Sequence, residues 1–183
     1  MRYERDELLA LMKRDALKFG DFTLASGAKS RFYIDARQVA LSARGAALIG
    51  AGVLAILDEI PCDAVGGLTL GADPVLAAAL ALAGAAGRPL RGFIVRKEAK
   101  QHGTGQRVEG PLRAGDRVCI VEDVTTTGGS AAEAIIAAKA AGATIACVVT
   151  VLDRGAGAAA LFAAEGIPFR PLLTLADLGL PPS

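Results

Sequence analysis

Residues 118–130 of the chain read VCIVEDVTTTGGS. The apolar run at 118–121 predicts a buried strand, and an alanine-rich helical pattern follows Ser130. Between them lie two acids, Glu122 and Asp123, and a loop of threonines and glycines. Backbone N–H groups, hydroxyls and the positive end of the helix dipole predict an anion site suited to a phosphate monoester. Ionised carboxylates only accept hydrogen bonds, so the acids suit the vicinal hydroxyls of a sugar, and together the features predict a ribose 5-phosphate site.

A purely structural interpretation of the same stretch is a strand, a turn and a helix whose Thr and Ser side chains only cap the helix. Two adjacent carboxylates beside a loop without a positive side chain repel each other and stabilise nothing. A bound ligand or cation is therefore the more economical interpretation.

The rest of the chain alternates strands and helices around this stretch. Apolar, β-branched segments predict buried strands at residues 64–67, 92–96, 117–121, 145–152 and 169–173. Helical patterns between most of them lie at 74–86, 130–141 and 156–165. This alternation predicts an α/β fold with a parallel sheet covered on both faces, in which ligands bind beyond the carboxyl ends of the strands.

The N-terminal part departs from that alternation. Apolar residues at spacings of three and four predict a first helix over residues 4–18. Short strands are predicted at 22–24 and 32–35, and a second helix is predicted over 42–56.

Residues 99–113, AKQHGTGQRVEGPLR, follow a predicted strand and show no apolar periodicity. They hold three glycines, a lysine, two arginines and the single histidine of the chain. Loops longer than about 12 residues in compact domains are usually functional or disordered. The residue types suit a catalytic loop, and the alternative is a solvated basic turn on the surface.

The composition excludes several classes of protein. The 183 residues are 52% hydrophobic and 21% charged, which excludes intrinsic disorder and predicts one domain over 1–183. The net charge of +1 gives no support to a global electrostatic attraction to nucleic acid or to an acidic membrane. Neither is therefore expected as a partner.

Cysteines and hydropathy bear on location. The three cysteines form no CxxC pair, which argues against a disulfide framework or zinc knuckle and is typical of a reducing cytosol. The longest uncharged stretch, 74–87, is shorter than the roughly 18 apolar residues that a membrane helix needs. The N-terminus is too charged for a secretory signal, so a soluble cytoplasmic protein is expected.

Four segments carry a resemblance to a known family. VCIVEDVTTTGGS resembles the phosphoribosyl pyrophosphate (PRPP) motif of the type I phosphoribosyltransferases. RKEAKQHGTG at 96–105 resembles the catalytic loop of the orotate phosphoribosyltransferases, FTLASGAKSRFYID at 22–35 their hood, and LDR at 152–154 their orotate-binding strand end. The resemblance implies a central, mostly parallel sheet flanked by helices, with a small N-terminal hood, mainly 1–40, and a flexible catalytic loop at about 97–112.

The activity that this resemblance implies is transfer of ribose 5-phosphate from PRPP to orotate. The products are orotidine 5′-monophosphate and pyrophosphate, in the de novo synthesis of pyrimidines (UMP). Mg²⁺ is implied as a cofactor that is held mainly by substrate and water, with no protein residue assigned as a direct ligand. A homodimer is implied in which the catalytic loop of one subunit covers the site of its neighbour.

The matched motifs imply roles residue by residue. Lys100 and His102 would be catalytic, because cations over the departing pyrophosphate stabilise its developing charge. Arg154 would bind the orotate carboxylate through a guanidinium fork, and Thr126 would add a hydroxyl to the pyrimidine. From local sequence alone, the alternative for Arg154 is an exposed charge that starts a helix. The implied PRPP-binding residues are Arg96, Lys97, Lys100, His102, Glu122, Asp123, Val124, Thr125, Thr126, Thr127, Gly128, Gly129 and Ser130.

Residues 66–73, GGLTLGAD, mimic a phosphate-binding P-loop but end in Ala72-Asp73 where an ATP-binding loop needs Lys-Ser/Thr. A nucleotide kinase is therefore disfavoured, and the resemblance implies that the backbone of this turn contacts pyrophosphate. Some members of the family carry lysines where this chain has Ala25 and Leu70. These departures concern substrate affinity rather than reaction type, and Lys29 or Arg31 are candidates to replace the first lysine in part.

Two other functions remain open from sequence. One is a phosphoribosyltransferase for another base, against which Arg154 and the RKEAKQHG segment argue. The other is a PRPP-sensing regulator without catalysis, which is disfavoured because Lys100 and His102 are present and the net charge is close to zero.

Overall fold

A computed structural model describes residues 2–23, 29–98 and 107–181 of the chain. Its helices are α1 (Arg5–Leu11), α2 (Arg37–Ala40), α3 (Ala43–Glu59), α4 (Ala72–Ala85), α5 (Gly129–Ala140) and α6 (Ala158–Ala164). Its strands are β1 (Leu17–Thr23), β2 (Lys29–Ile34), β3 (Ala64–Leu68), β4 (Arg91–Val95), β5 (Val108–Glu109), β6 (Arg117–Thr125), β7 (Thr144–Asp153) and β8 (Phe169–Thr174).

Six strands form the central sheet in the order β5-β4-β3-β6-β7-β8. Strands β3, β4, β6, β7 and β8 run parallel, and only the short β5 pairs antiparallel, with β4. Because β3 is followed in space by β4 on one side and by β6 on the other, the strand order reverses between β3 and β6. Open α/β sheets bind ligands at such a reversal, beyond the carboxyl ends of the strands.

Apolar side chains cover the sheet on both faces. On one face, α1, α3 and α4 pack against β3, β6, β7 and β8 through residues such as Leu8, Leu48 and Val75. On the other face, α5 and α6 pack against the sheet through Ile135 and Phe162. This two-sided burial explains why the strands read as continuous apolar runs, and it confirms the predicted α/β class.

The hood differs from its prediction at the first helix. The helix expected over 4–18 ends earlier: α1 passes into a π-helical turn, Met12–Ala16, and the chain is extended from Leu17. Strand pairing overrides the helical pattern here, since Leu17 lies opposite Ile34 in an antiparallel β1–β2 pair. Phe19, the first residue after the predicted helix, lies in β1 and is 73% exposed.

Three further differences concern elements near the site. β6 continues to Thr125, four residues beyond its predicted end at 121, because pairing with β7 extends through Thr125 and Asp153. β5 lies inside the segment predicted to be without regular structure, and α2 had no counterpart in the prediction. No helix in the described ranges is long and apolar enough to cross a membrane.

Candidate active site

A cavity of about 840 Å³ opens at the carboxyl edge of the sheet, where the strand order reverses. Its walls come from the ends of β3, β4 and β6, from the turn after β3, and from the start of α2, which follows the hood strand β2. The charged residues that line it are Arg37, Arg96, Lys97, Glu98, Glu109, Glu122 and Asp123. A second cavity of about 310 Å³ shares Glu122, Val124 and Ser130 with the first and continues along the loop that follows β6.

Glu122 is a buried carboxyl, only 6% exposed. Burial, and then the neighbouring Asp123 charge, raise its pKa to about 8, while the Lys97 ammonium acts in the opposite direction. Its Oε2 atom is buried without a hydrogen-bond partner among the described residues. A buried polar atom without a partner is costly, so this oxygen is suited to receive a ligand group.

Asp123 faces the turn that follows β3. Burial raises the pKa of this carboxyl. A hydrogen bond of 2.8 Å, which Oδ1 accepts from the Val124 N–H, partly offsets this effect by lowering the pKa. A Cβ atom on Gly71 would lie 2.5 Å from Asp123 Oδ1, so the backbone of the turn contacts the carboxylate closely. Only a glycine allows this approach, which brings the β3 turn and the acidic pair together.

The loop after β6 forms the floor of the second cavity. Gly128 adopts a left-handed conformation with φ of 90° immediately before α5. Thr126, Thr127, Gly129 and Ser130 are exposed around the first turn of this twelve-residue helix. Their hydroxyls and the N–H groups of the helix start give the loop the donors that a phosphate needs. Thr125 is different, because its hydroxyl is buried and has no partner among the described residues.

At the end of β4, two arginines connect the strands that flank residues 99–106. The Arg96 N–H donates to the Arg107 carbonyl at 2.8 Å, and Arg107 Nε donates back to the Arg96 carbonyl at 3.0 Å. Arg107 also forms an ion pair of 2.9 Å with Glu133 on α5. The paired strands β4 and β5, called the β4–β5 stem below, are therefore connected to α5. This helix begins at the loop 125–130, which we call the phosphate-type loop.

Arg154 follows β7 and lies next to the hood. Its backbone N–H donates to the Thr125 carbonyl at 2.9 Å, which fixes the end of β7 beside the end of β6. Its guanidinium carbon lies 5.9 Å from the centre of the Phe32 ring on β2, within cation–π range. The guanidinium and the ring thus border the same end of the sheet as the acidic pair and the phosphate-type loop.

The structure places most of the predicted site residues along two adjoining cavities. Arg96, Lys97, Glu122, Asp123, Val124 and Ser130 line the larger cavity, and Thr125, Thr126, Thr127, Gly128 and Gly129 line the smaller one. Arg154 is not among the lining residues of either cavity, and it borders the site through its contacts with Thr125 and Phe32. Lys100, His102 and the departure at Ala25 lie outside the described residues. Leu70 lies at the rim of the larger cavity and is 73% exposed.

Sequence reasoning missed three residues here: Arg37, Phe32 as a neighbour of Arg154, and Arg107 as a link to α5. The signal for Arg37 was its position two residues after the segment 22–35 that resembles the hood, in the sequence FYIDAR. No local pattern pairs Arg107 with Glu133, because they come from elements that meet only in the folded chain.

The donors present fit a hard divalent cation. The unpartnered Glu122 oxygen and the adjacent Asp123 carboxylate are oxygen donors of the kind that Mg²⁺ prefers. Within the described ranges, no group of three or more His, Cys, Asp or Glu side chains is arranged to hold a metal ion. A cation here would therefore take most of its coordination from a phosphorylated ligand and from water.

A parallel sheet with a hooded carboxyl edge, an acidic pair and a phosphate-type loop defines a type I phosphoribosyltransferase. No protein-family model matches the sequence. The chain is 46% identical over 181 residues to the orotate phosphoribosyltransferase of Rhodopirellula baltica, covering 96% of this chain and 94% of that protein. It is 50% identical over 177 residues to that of Thermosynechococcus vestitus, covering 95% and 92%.

A solved structure of similar fold is that of Mycobacterium tuberculosis orotate phosphoribosyltransferase in complex with PRPP. It superposes with a TM-score of 0.82 at 41% identity, covering 96% of this chain and 99% of that one. The chain belongs to the orotate phosphoribosyltransferase family.

Proposed function

We propose that this chain transfers the 5-phosphoribosyl group of PRPP to orotate, giving orotidine 5′-monophosphate and pyrophosphate in pyrimidine synthesis. The observation that carries the proposal is the junction of two cavities at Glu122. One cavity has the size and cations for a diphosphate, and the other is lined by the loop suited to a sugar phosphate. Family membership and the PRPP complex of the mycobacterial relative support the same substrate.

The reaction needs no covalent intermediate with the protein. The bond from C1′ of the ribose to the diphosphate oxygen breaks, the bond from C1′ to N1 of orotate forms, and the N1 proton is lost. Positive charge develops at C1′ and negative charge on the departing oxygens. The protein accelerates the step by holding the reactants in line and by placing fixed charges where these charges develop.

Each wall of the site has a part in that task. The loop 125–130 holds the 5-phosphate, and Glu122 and Asp123 accept hydrogen bonds from the ribose hydroxyls. Arg96 and Lys97 bind the diphosphate, and Lys100 and His102 neutralise it as it departs. Arg154 and Thr126 orient orotate, which differs from uracil and from purines by the carboxylate that a guanidinium fork recognises.

Mg²⁺ belongs to the proposal as the cofactor. When bound, it neutralises charge on the diphosphate and so makes that group a better leaving group. Glu122 and Asp123 are the residues that would face it, through water or through the ribose hydroxyls.

The domain organisation, assembly and location are proposed as well. One phosphoribosyltransferase domain spans 1–183, with the hood mainly in 1–40 and the catalytic loop at about 97–112. The protein acts as a cytoplasmic homodimer in which the loop of one subunit reaches the neighbour's site. Its partners are PRPP, orotate and the second subunit, and neither a nucleic acid nor a membrane.

The test is an ultraviolet assay that follows the loss of orotate absorbance after addition of PRPP and Mg²⁺ to the purified protein. We expect turnover with orotate and none with adenine, guanine or hypoxanthine, each assayed by pyrophosphate release. Turnover with a purine and none with orotate would show that the proposed base specificity is wrong. Tight PRPP binding without release of pyrophosphate for any base would instead indicate a regulator.

A further inference from the structure

Arg37 is a cation on the hood side of the larger cavity. It begins α2, just after strand β2, and its side chain is 50% exposed. The other cations lining this cavity within the described part of the chain, Arg96 and Lys97, come from the end of β4. Arg37 therefore supplies positive charge from a different wall.

The guanidinium of Arg37 is held from one side only. Its Nε donates to Asp35 Oδ1 at 2.7 Å, and its backbone N–H contacts the same oxygen at 3.2 Å. Its two Nη groups make no hydrogen bond to any described residue. Arg44 on α3 shows the contrast, because both its Nε and an Nη donate to the two carboxylate oxygens of Glu7.

This one-sided contact leaves a guanidinium fork oriented but available. Asp35 is only 15% exposed and also accepts a hydrogen bond of 3.2 Å from the Gln38 amide, so it is a fixed support. A guanidinium that is already oriented loses less side-chain entropy when it binds a ligand. Its two Nη groups, which have no partner among the described residues, match the spacing of two phosphate oxygens.

The surroundings of Arg37 indicate which ligand group it would meet. Arg37 and Asp123 interact electrostatically, and Asp123 contacts the backbone of Gly71. The adjacent Leu70 side chain lies on the same cavity wall, is 73% exposed and carries no charge. The turn after β3 thus offers backbone groups but no cation to the cavity, and Arg37 is a cation that lines the same cavity.

We infer that Arg37 binds the diphosphate of PRPP from the hood side, opposite Arg96 and Lys97. This inference rests on the proposed function, since the diphosphate is part of the proposed substrate. It adds a binding residue that none of the sequence motifs contains.

The test is isothermal titration calorimetry of PRPP with Mg²⁺, and separately of pyrophosphate with Mg²⁺, on the native protein and its variants. We expect Arg37→Ala to weaken both ligands by about 10- to 100-fold, the loss typical of charged hydrogen bonds, and Arg37→Lys to weaken them less. The KM for orotate should stay within about threefold, since its carboxylate meets Arg154. Arg44→Ala is the matched control and should leave both affinities unchanged.

Asp35→Asn separates binding from support of the fold. Asparagine keeps an oxygen that accepts from Nε, and it removes a negative charge that competes for the guanidinium, so PRPP affinity should be retained or increased. A loss with Asp35→Asn as large as with Arg37→Ala would show that the ion pair only holds α2 in place, and would overturn the inference. Thermal unfolding of each variant identifies a folding defect, in which case Arg37→Lys and Arg37→Gln decide.

The two proposals fail differently. If the native protein binds PRPP and Arg37→Ala binds it equally well, the role of Arg37 is wrong and the proposed function stands. If the native protein binds no PRPP, the proposed function is wrong and the role of Arg37 falls with it.

Discussion

Glu122 shows how one buried carboxyl prepares a site. Burial removes water from the side chain, Asp123 lies next to it, and one of its oxygens has no partner among the described residues. These conditions favour the neutral acid in the ligand-free protein. Sugar hydroxyls or a cation would favour the ionised form, so ligand binding and the charge of Glu122 are coupled.

The raised pKa of Glu122 predicts a pH-dependent stability. Its folded pKa is about 8 against an ordinary value of 4.5, so between these values the folded state keeps a proton that the unfolded chain has lost. Stability from this group is therefore complete below the unfolded pKa and falls as pH rises, by at most about 1.4 kcal/mol per pH unit. Glu122→Gln should remove this slope between pH 5 and pH 8, in urea unfolding of the ligand-free protein. The exposed Glu59→Gln is the control, and parallel pH curves for Glu122→Gln and the native protein would contradict the prediction.

Arg154 is expected to select the base. Arg154→Ala removes charged hydrogen bonds to the orotate carboxylate and should raise the orotate KM by about 10- to 100-fold. The KM for PRPP should change little, because the ribose and diphosphate meet other walls of the site. Steady-state kinetics with each substrate varied in turn measures the split, and equal losses for both substrates would rule out a role specific to the base.

At the scale of elements, the β4–β5 stem connects two parts of the site. Arg107 bonds to the Arg96 backbone and pairs with Glu133 on α5, the helix that begins at the phosphate-type loop. Exposed ion pairs of this kind contribute little to stability, about 0 to 1 kcal/mol. Their effect here is expected on the position of Arg96 relative to the loop after β6.

Arg107→Ala should therefore lower turnover about tenfold or more with little change in the melting temperature, because small misplacements of binding groups are costly to catalysis. Glu133→Ala should have a smaller effect in the same direction, and Arg107→Lys should restore part of the loss. Lys139→Ala is the matched control, since Lys139 also lies on α5 and pairs with Glu165 at 3.3 Å, away from the site. If the control lowers turnover as much as Arg107→Ala does, the stem has no specific role.

At the scale of the whole molecule, the sheet order decides which loops meet. The order β4-β3-β6-β7 puts the end of β3 between those of β4 and β6, and it puts the end of β7 beside that of β6. The proposed diphosphate, ribose and base sites would therefore follow one another along one edge. Glu98, the last described residue after β4, lines the cavity at this edge, which is where a loop shared between subunits would start.

Mixing two inactive variants tests the shared loop. In a mixed dimer of Lys100→Ala and Arg154→Ala subunits, one of the two sites would have both an intact loop and an intact base site. Random exchange of subunits should then recover about a quarter of native turnover at low orotate concentration. On its own, Lys100→Ala should lower turnover by about 10²- to 10³-fold. On its own, Arg154→Ala should lose most of its activity at low orotate concentration. No recovery in verified mixed dimers would mean that each loop serves its own site.

Local pattern was enough for much of this fold. Five buried strands and the helices between them repeat a short-range periodicity, and their structural bounds lie within a few residues of the predicted ones, except at β6. The predicted length of the first helix was wrong because Leu17 pairs with Ile34, and this contact between distant residues overrides the helical pattern. β5 was not predicted because its two residues show no periodicity, and only their pairing with β4 makes them a strand.

Neighbours along the chain were enough to predict the acidic pair, the hydroxyl-rich loop and the start of the helix within residues 118–130, because these features are contiguous. Which residues face them follows only from the folded chain: Gly71 lies against Asp123, Phe32 lies against Arg154, and Asp35 holds Arg37 at the cavity wall. It also decided that Glu122 is buried, and hence that its pKa is raised. The physical reason is that burial and charge at a site depend on elements far apart in sequence, whose approach is set by the packing of the whole sheet.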